Sequence, residues 1–205
     1  MFNFFRDDFR QKKDKNYRFG DFCSGSGIIA LLLSQEYSEV SVEGIEIQED
    51  LYQAALNSVP KEQARLSFRC NDLTKYKDFL PPNSYDVILS NPPYRKLQKG
   101  RLNKNPSHIL ANHEVSITLT QLLEAVRYGI NPLGSFYCSY HPSRGDELLA
   151  ELMALDLKPM TMRTVHPDKN SEAVILLVKS VFKGKNELSV LPPLFLDEVS
   201  KEDYR

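Results

Sequence analysis

The sequence predicts a doubly wound α/β fold, in which helices cover both faces of a mostly parallel, seven-stranded sheet that ends in an antiparallel hairpin. Two observations predict this fold. Strand-like and helix-like segments alternate along most of the 205 residues, which is typical of βαβ units and a parallel sheet. The last two predicted strands follow each other too closely for a helical crossover, so we expect them to pair antiparallel.

The individual elements follow from hydrophobic periodicity and from the residues that end each pattern. The predicted strands comprise residues 17–22, 41–47, 65–72, 85–94, 135–141, 160–166 and 173–181. The predicted helices comprise residues 28–35, 49–58, 114–128 and 143–155. The fourth strand must stop near Ser90, because the two prolines that follow cannot continue a central ladder. Residues 191–196 are expected to be extended.

Composition bounds the domain organisation and the class of protein. The chain shows no internal repeat and no low-complexity linker, so we predict one domain over residues 17–205 and an N-terminal appendage over residues 1–16. The formal net charge is −1, so any nucleic-acid-binding surface must be local. No apolar run approaches the length of a membrane span, and the N-terminus lacks a signal-peptide pattern. We therefore expect a cytoplasmic protein.

The segment between the first strand and the first helix, Asp21-Phe-Cys23-Ser-Gly25-Ser-Gly27, has the composition of a ligand-binding turn. Glycine lets a ligand approach the backbone where a Cβ would block it, and the start of the helix offers free N–H groups. A plain strand-to-helix turn is the alternative. The position of the turn after the first strand favours the ligand-binding interpretation.

Acidic residues end the first three predicted strands. Glu46 follows Gly27 by 19 residues, and a carboxylate there can accept hydrogen bonds from both ribose hydroxyls of an adenosine cofactor. Asp72 lies beside Asn71 at the end of the third strand and can accept from an adenine amino group. A nicotinamide cofactor is the alternative, because residues 25–30 match the pattern G-x-G-x-x-A.

The most specific functional signal is Asn91-Pro92-Pro93-Tyr94 at the end of the fourth strand. An exocyclic amine on a heterocycle is a poor nucleophile, because its lone pair is delocalised into the ring. The Asn91 side-chain oxygen and the Pro92 carbonyl can accept hydrogen bonds from such an amine and hold it in line with a methyl donor. Tyr94 can stack on an extruded base. A proline-rich turn is the structural alternative.

A basic segment directly follows this motif. Residues 95–104 contain no acidic residue and five basic ones, namely Arg95, Lys96, Lys99, Arg101 and Lys104. We predict that these side chains contact the phosphates of a nucleic acid at the mouth of the cleft, although a solvated loop is the alternative. No metal site is predicted, because the cysteines and histidines share no ligand spacing.

Taken together, the Asp-x-x-x-Gly-x-Gly turn, Glu46, Asp72 and the Asn-Pro-Pro-Tyr motif resemble those of the class I S-adenosylmethionine-dependent methyltransferases. Within them, the chain is similar to the bacterial methyltransferases that modify the exocyclic amine of the adenine beside the valine-tRNA anticodon. The similarity includes His113-Glu114, Pro142-Ser-Arg144, Val165-His166-Pro167 and Leu191-Pro-Pro-Leu194. The sequence departs from the family pattern at Asn112, at Cys23 and in the short segment before the glycine turn.

This resemblance implies a Rossmann-like fold, S-adenosylmethionine as cofactor and adenine in RNA, with tRNA favoured, as substrate. The implied cofactor-binding residues are Asp21, Cys23, Gly25, Gly27, Glu46, Ile47, Asn71, Asp72 and Asn91. The implied catalytic residues are Asn91, Pro92, Pro93 and Tyr94. A guanine-N2 or protein glutamine-N5 methyltransferase stays an alternative, because those groups share the motif. A catalytically weakened cofactor- or RNA-binding module is another.

Overall fold

The computed structural model describes residues 1–9, 16–60, 64–93, 117–184 and 187–198. Its strands are β1 (Arg18–Phe22), β2 (Ser41–Glu46), β3 (Leu66–Cys70), β4 (Tyr85–Ser90), β5 (Ile130–Tyr140), β6 (Leu157–His166), β7 (Ile175–Phe182), β8 (Ser189–Val190) and β9 (Leu194–Phe195). Its α-helices are α1 (Phe2–Asp8), α2 (Ile28–Glu36), α3 (Glu49–Asn57), α4 (Leu119–Gly129) and α5 (Gly145–Ala154). Two 3₁₀ helices cover Leu73–Asp78 and Pro142–Arg144.

The strands form one sheet in the order β3-β2-β1-β4-β5-β7-β6, and both β8 and β9 pair with β6. The neighbours from β3 to β5 pair parallel, whereas β7 pairs antiparallel with β5 and with β6. This arrangement confirms the predicted doubly wound fold and its terminal hairpin. The predicted count of seven strands is too low for the described residues, because the extended tail adds two short strands to the edge of β6.

Helices cover both faces of the sheet and bury two separate hydrophobic clusters. Leu123 of α4 and Leu152 of α5 pack with Ile88 of β4 on one face. On the opposite face, Leu33 of α2 and Ala55 of α3 lie in the second cluster. The central strands are therefore buried on both sides, as a parallel sheet requires.

The fourth helix begins later than the sequence predicted. Thr118 caps α4 and forms a capping box with Gln121, in which each side chain bonds the backbone of the other residue. This cap fixes the start of the helix at Leu119 instead of residue 114. Residues 114–116 of the prediction lie outside the described residues. Strand β5 is longer than predicted, because its register with β4 extends down to the pair Tyr85 and Ile130.

The N-terminal helix packs into the body of the fold. The ring of Phe5 is fully buried and contacts the rings of Phe19 and Tyr137 edge to face. Asp8 accepts hydrogen bonds from the Tyr137 hydroxyl at 2.5 Å and from the Lys179 ammonium at 2.6 Å. Helix α1 is thus tied to the second hydrophobic cluster by aromatic packing and by a charged contact. The boundary at residue 16 between an appendage and a domain stays a prediction.

Candidate active site

The carboxyl edge of the parallel strands contains the topological switch point of the sheet. The chain builds outward from β1 to β2 and β3, and then returns to the other side of β1 to form β4. Ligands bind outside the carboxyl ends of the strands at such a point. The ends of β1 and β4 pair at Phe22 and Ser90, where the Ser90 hydroxyl donates to the Phe22 carbonyl at 2.7 Å. The segments after these two strands therefore face each other across the crevice.

The turn after β1 has the geometry that its glycines predict. Gly25 has a φ of +56°, and a Cβ built there would meet no atom within 4 Å. Gly27 has a φ of +80°, and a Cβ built there would lie 2.5 Å from the ring of Phe68. The open side of Gly25 therefore leaves a cradle along the backbone, whereas Gly27 is needed for packing against β3.

Glu46 joins the turn after β1 to the end of β2. Its side chain is almost buried, and one carboxylate oxygen accepts the Gly25 N–H at 2.8 Å. The other oxygen accepts the N–H groups of Ile47 at 3.0 Å and Gln48 at 2.9 Å. The Gln48 side-chain amide also lies 3.5 Å from this oxygen. Each carboxylate oxygen has about two acceptor positions, so the oxygen that accepts only from Gly25 has one left for a ribose hydroxyl. The second predicted ribose contact requires release of one of the backbone donors.

Asp21 lies fully buried beneath the turn. One carboxylate oxygen accepts the Ala30 N–H at 3.1 Å, and the other has no hydrogen-bond partner among the described residues. Burial raises the pKa of Asp21 to about 7, and the nearby charge of Glu46 acts in the same direction. An unpaired oxygen of a buried carboxylate favours the approach of a cation.

The end of β3 completes this side of the edge. One carboxylate oxygen of Asp72 caps the 3₁₀ helix by accepting from the backbone and hydroxyl of Thr74, at 2.9 and 2.7 Å. Its other oxygen takes no part in this cap and stays available in the predicted role toward an adenine amino group. The Asn71 N–H donates to the Glu46 carbonyl at 2.9 Å, and the side chain of Ile47 is 40% exposed.

The segment after β4 lies on the other side of the switch point. Asn91 is exposed, and its side-chain oxygen accepts a hydrogen bond from the Ser139 hydroxyl of β5 at 2.5 Å. Pro92 is buried and Pro93 is partly buried. Tyr94 lies outside the described residues, as do Arg95, Lys96, Lys99, Arg101 and Lys104. The roles predicted for these six residues stay predictions.

Three polar residues at the carboxyl edge were not predicted from the sequence to belong to the site. Ser90 and Ser139 were not predicted to take part in the site, because their contacts depend on strand register. Ser24, whose buried hydroxyl has no partner within the described residues, lies inside the glycine turn and was not singled out. The predicted strand at residues 135–141 has Ser139 near its carboxyl end, and this position is the signal that could have identified the residue.

Cys23 occupies a position of positive φ, at 61°, which is unusual for a residue other than glycine. Burial raises the pKa of the Cys23 thiol, so the thiol stays protonated at neutral pH. A protonated thiol is a weak nucleophile, so this environment does not favour a nucleophilic role for Cys23. Across the five described ranges, no cluster of His, Cys, Asp and Glu side chains could hold a metal ion, and no helix could span a membrane.

The strand order, the single antiparallel strand β7 and the glycine turn after β1 together define a class I methyltransferase fold. A crystal structure of a predicted O-methyltransferase from Agrobacterium tumefaciens matches 90% of this chain and 82% of its own length, with a TM-score of 0.71 and 17% sequence identity. At this identity, the similarity supports the fold alone.

Residues 5–112 match the family model of the methyltransferase small domain, and the chain belongs to this family. It is 30% identical over 169 residues to the tRNA1(Val) (adenine(37)-N6)-methyltransferase of Pedobacter heparinus, covering 80% of this chain and 69% of the relative. The release factor glutamine methyltransferase of Koribacter versatilis is 34% identical over 74 residues, covering 36% of this chain and 26% of the relative. The chain spans 52% to 69% of the length of its tRNA methyltransferase relatives.

Membership in this family confirms the prediction of a methyltransferase that depends on S-adenosylmethionine. The nicotinamide alternative is therefore wrong, although the glycine pattern alone permitted it. The roles of individual site residues stay predictions.

Proposed function

We propose that this protein transfers a methyl group from S-adenosylmethionine to the exocyclic amine of adenine in RNA, with tRNA as the favoured substrate. One observation carries the proposal: the Asn91-Pro92-Pro93 segment faces the glycine turn across the switch point of the sheet. A methyl donor bound on the β1 side and an amine bound on the β4 side would meet in the crevice between them.

The residues on the β1 side fit S-adenosylmethionine. The cradle at Gly25 has room for the cofactor against the backbone, Glu46 has an acceptor position for a ribose hydroxyl, and Asp72 has a free oxygen for the adenine amine. The unpaired oxygen of Asp21 supplies a buried negative charge when this carboxyl, whose pKa is about 7, is ionised. When bound, S-adenosylmethionine supplies an electrophilic methyl group on a sulfonium cation, so no metal or strong general base is required.

On the β4 side, Asn91 and Pro92 orient the target amine. The Asn91 side-chain oxygen and the Pro92 carbonyl accept hydrogen bonds from the two amine N–H groups and draw the nitrogen toward tetrahedral geometry. This geometry restores the lone pair to the nitrogen and points it along the line of methyl transfer. The nitrogen would form its bond to the methyl carbon as the sulfur–methyl bond breaks with its electron pair left on sulfur, and the methylated amine would then release one proton to water. Two buried or partly buried prolines restrict the backbone that carries these acceptors.

Two features support RNA as the substrate. The basic residues Arg95 to Lys104 directly follow the acceptor motif in sequence, and several relatives carry a tRNA adenine methyltransferase name. Lysine and arginine would bind phosphates while the cleft selects the base. A tRNA-modifying role also agrees with the expected cytoplasmic location.

A protein glutamine-N5 methyltransferase is the second candidate, since the chain is also similar to a release factor glutamine methyltransferase. The sequence motifs give two further candidates, a guanine-N2 methyltransferase and a catalytically weakened cofactor- or RNA-binding module. To separate these candidates, labelled S-adenosylmethionine is incubated with the protein and with total RNA, total DNA or total protein. Nucleoside and residue analysis then identifies the product. N6-methyladenosine in RNA supports the proposal, whereas label only in glutamine or guanine contradicts it.

Replacement of the proposed amine acceptor tests the mechanism. We expect Asn91→Ala to lower the transfer rate by about 10²–10³-fold, because a preorganised hydrogen-bond acceptor is lost. Cofactor affinity, measured by calorimetry, should change little. Asn57→Ala is the matched control, since Asn57 is an exposed asparagine at the end of α3, away from the carboxyl edge. Wild-type activity in Asn91→Ala would contradict the mechanism.

A further inference from the structure

The Asn91 side chain lies in an environment that by itself does not fix its orientation. The residue is exposed and follows the last residue of β4. An exposed asparagine has two rotatable side-chain bonds and samples several rotamers, whereas the proposed methyl transfer needs its oxygen at one position. Some contact must therefore hold the amide before the target amine arrives.

Ser139 makes this contact. Its hydroxyl donates to the Asn91 side-chain oxygen at 2.5 Å, and the serine is only 6% exposed. The register explains the contact: Ser90 of β4 pairs with Cys138 of β5, so the next residue of each strand lies beside the other. Ser139 is held in the ladder between β4 and β7, opposite Leu177. The donor is therefore rigid, although its acceptor is exposed.

The bond leaves Asn91 able to accept a second hydrogen bond. A carbonyl oxygen of an amide has two acceptor positions, and Ser139 occupies one of them. The other is left for the N–H of a target amine. In the structure the amide oxygen of Asn91, and not its nitrogen, lies on the side of β5.

The contact is not needed to join the two strands. β4 and β5 already pair from Tyr85 to Ser90 through their backbones. Ser90, at the same edge, bonds the Phe22 carbonyl and thereby connects β4 with β1. Ser139 instead bonds the side chain that accepts the target amine in the proposed mechanism. This difference separates a positioning contact from a structural one.

We infer that Ser139 is a positioning residue that holds the Asn91 amide oxygen ready to accept the target amine. The inference rests on the proposed function, because it assigns Asn91 the role of amine acceptor. It predicts that loss of the Ser139 hydroxyl slows methyl transfer without weakening cofactor binding.

Three variants of the full chain test this role. Ser139→Ala removes the hydroxyl, Ser139→Thr keeps it, and Ser180→Ala is the matched control. Ser180 is a fully buried serine of β7 whose hydroxyl has no partner among the described residues. We measure transfer of labelled methyl at saturating total RNA and saturating cofactor, the cofactor Kd by calorimetry, and Tm.

We expect Ser139→Ala to lower the transfer rate by about tenfold and Ser139→Thr to recover most of it, with the cofactor Kd unchanged within about twofold. The Tm of Ser139→Ala should fall no further than that of Ser180→Ala. A wild-type rate in Ser139→Ala overturns the inference, and so does a rate that the threonine fails to restore. Methylation of protein or DNA instead of RNA by the wild type contradicts the proposed function alone, and the same variants are then compared on that acceptor. A wild type without any transfer overturns both.

Discussion

The two sides of the switch point present different chemistry at the same edge of the sheet. The β1, β2 and β3 side ends in the carboxylates Asp21, Glu46 and Asp72. The β4 and β5 side ends in the neutral hydrogen-bonding groups of Asn91 and Ser139. A cationic methyl donor is stabilised by anionic groups, whereas a neutral amine needs acceptors that leave its lone pair available. The division predicts that changes on the first side impair cofactor binding and changes on the second impair transfer alone.

Among the variants that test this difference between the two sides, Gly27→Ala should have the largest effect, and the effect is on stability. Its new Cβ would lie 2.5 Å from the Phe68 ring and 3.0 Å from the Ala55 Cβ, at a φ of +80°. We expect the free energy of unfolding to fall by about 3 kcal/mol, from overpacking together with left-handed backbone strain. Urea denaturation measures this change. A fully stable variant would show that the turn can move away from β3.

Asp21→Asn tests the buried charge of the first side. Because burial raises the pKa of Asp21 from 3.8 to about 7, the folded state retains a proton that the unfolded state releases between these pH values. The wild type is therefore most stable below the unfolded pKa, loses stability as the pH rises to about 7, and loses no more above it. We expect a loss of about 2 kcal/mol between pH 5 and about pH 7 that is absent in Asp21→Asn.

The same variant probes cofactor binding. In the wild type, affinity for S-adenosylmethionine should rise as the pH passes through about 7, because the ionised carboxylate attracts the cation. Asp21→Asn should bind more weakly, with no such dependence. Calorimetry at several pH values measures both. Identical pH profiles for the two proteins would remove Asp21 from the cofactor site.

Gly25→Ala separates the cradle from the packing of the turn. A Cβ at Gly25 meets no neighbouring atom, so the change in stability should be limited to the strain of a φ of +56°, about 1–2 kcal/mol. The methyl group would lie in the proposed cradle, and we expect cofactor affinity to fall about tenfold. Calorimetry beside urea denaturation distinguishes the two effects. Unchanged affinity would place the cofactor elsewhere along the edge.

The smallest effect is expected from Cys23→Gly. The residue has a φ of 61°, so glycine should relieve backbone strain and raise the free energy of unfolding by up to about 1 kcal/mol, partly offset by greater entropy of the unfolded chain. Transfer activity should persist, because the protonated thiol has no proposed role in the chemistry. A large loss of transfer would assign the thiol a contact with a ligand.

The sequence predicted the β1, β2 and β3 side of the edge better than the β4 and β5 side. Asp21, Glu46 and Asp72 lie at or just after the ends of short strands that helices separate, so their position at the edge follows from local patterns alone. The partner of Asn91 did not follow in this way. Ser139 is 48 residues away in sequence, and only the register of β4 with β5 brings the two together. Register is set by the turn and by packing across the whole sheet.

Helix α1 was not predicted from the sequence, for a related reason. Its seven residues are too few for a helix that is stable alone, and its mixture of aromatic and charged residues gives no clear period. The helix is stabilised by contacts that its own sequence does not reveal, since the partners of Phe5 and Asp8 include Tyr137 and Lys179.

The position of the Phe68 ring limits which residues can replace Gly27 and Gly44. It fills the space beside Gly27 and also the space that a Cβ on Gly44 would need. Three positions on three different segments are therefore coupled by one aromatic side chain. We expect that relatives with a small residue in place of this phenylalanine can carry alanine at the position equivalent to Gly44, where the next contact of a Cβ is the Ser24 hydroxyl at 3.1 Å. Position 27 should still favour glycine there, because a φ of +80° strains a side chain and a Cβ would also lie 3.0 Å from the Ala55 Cβ.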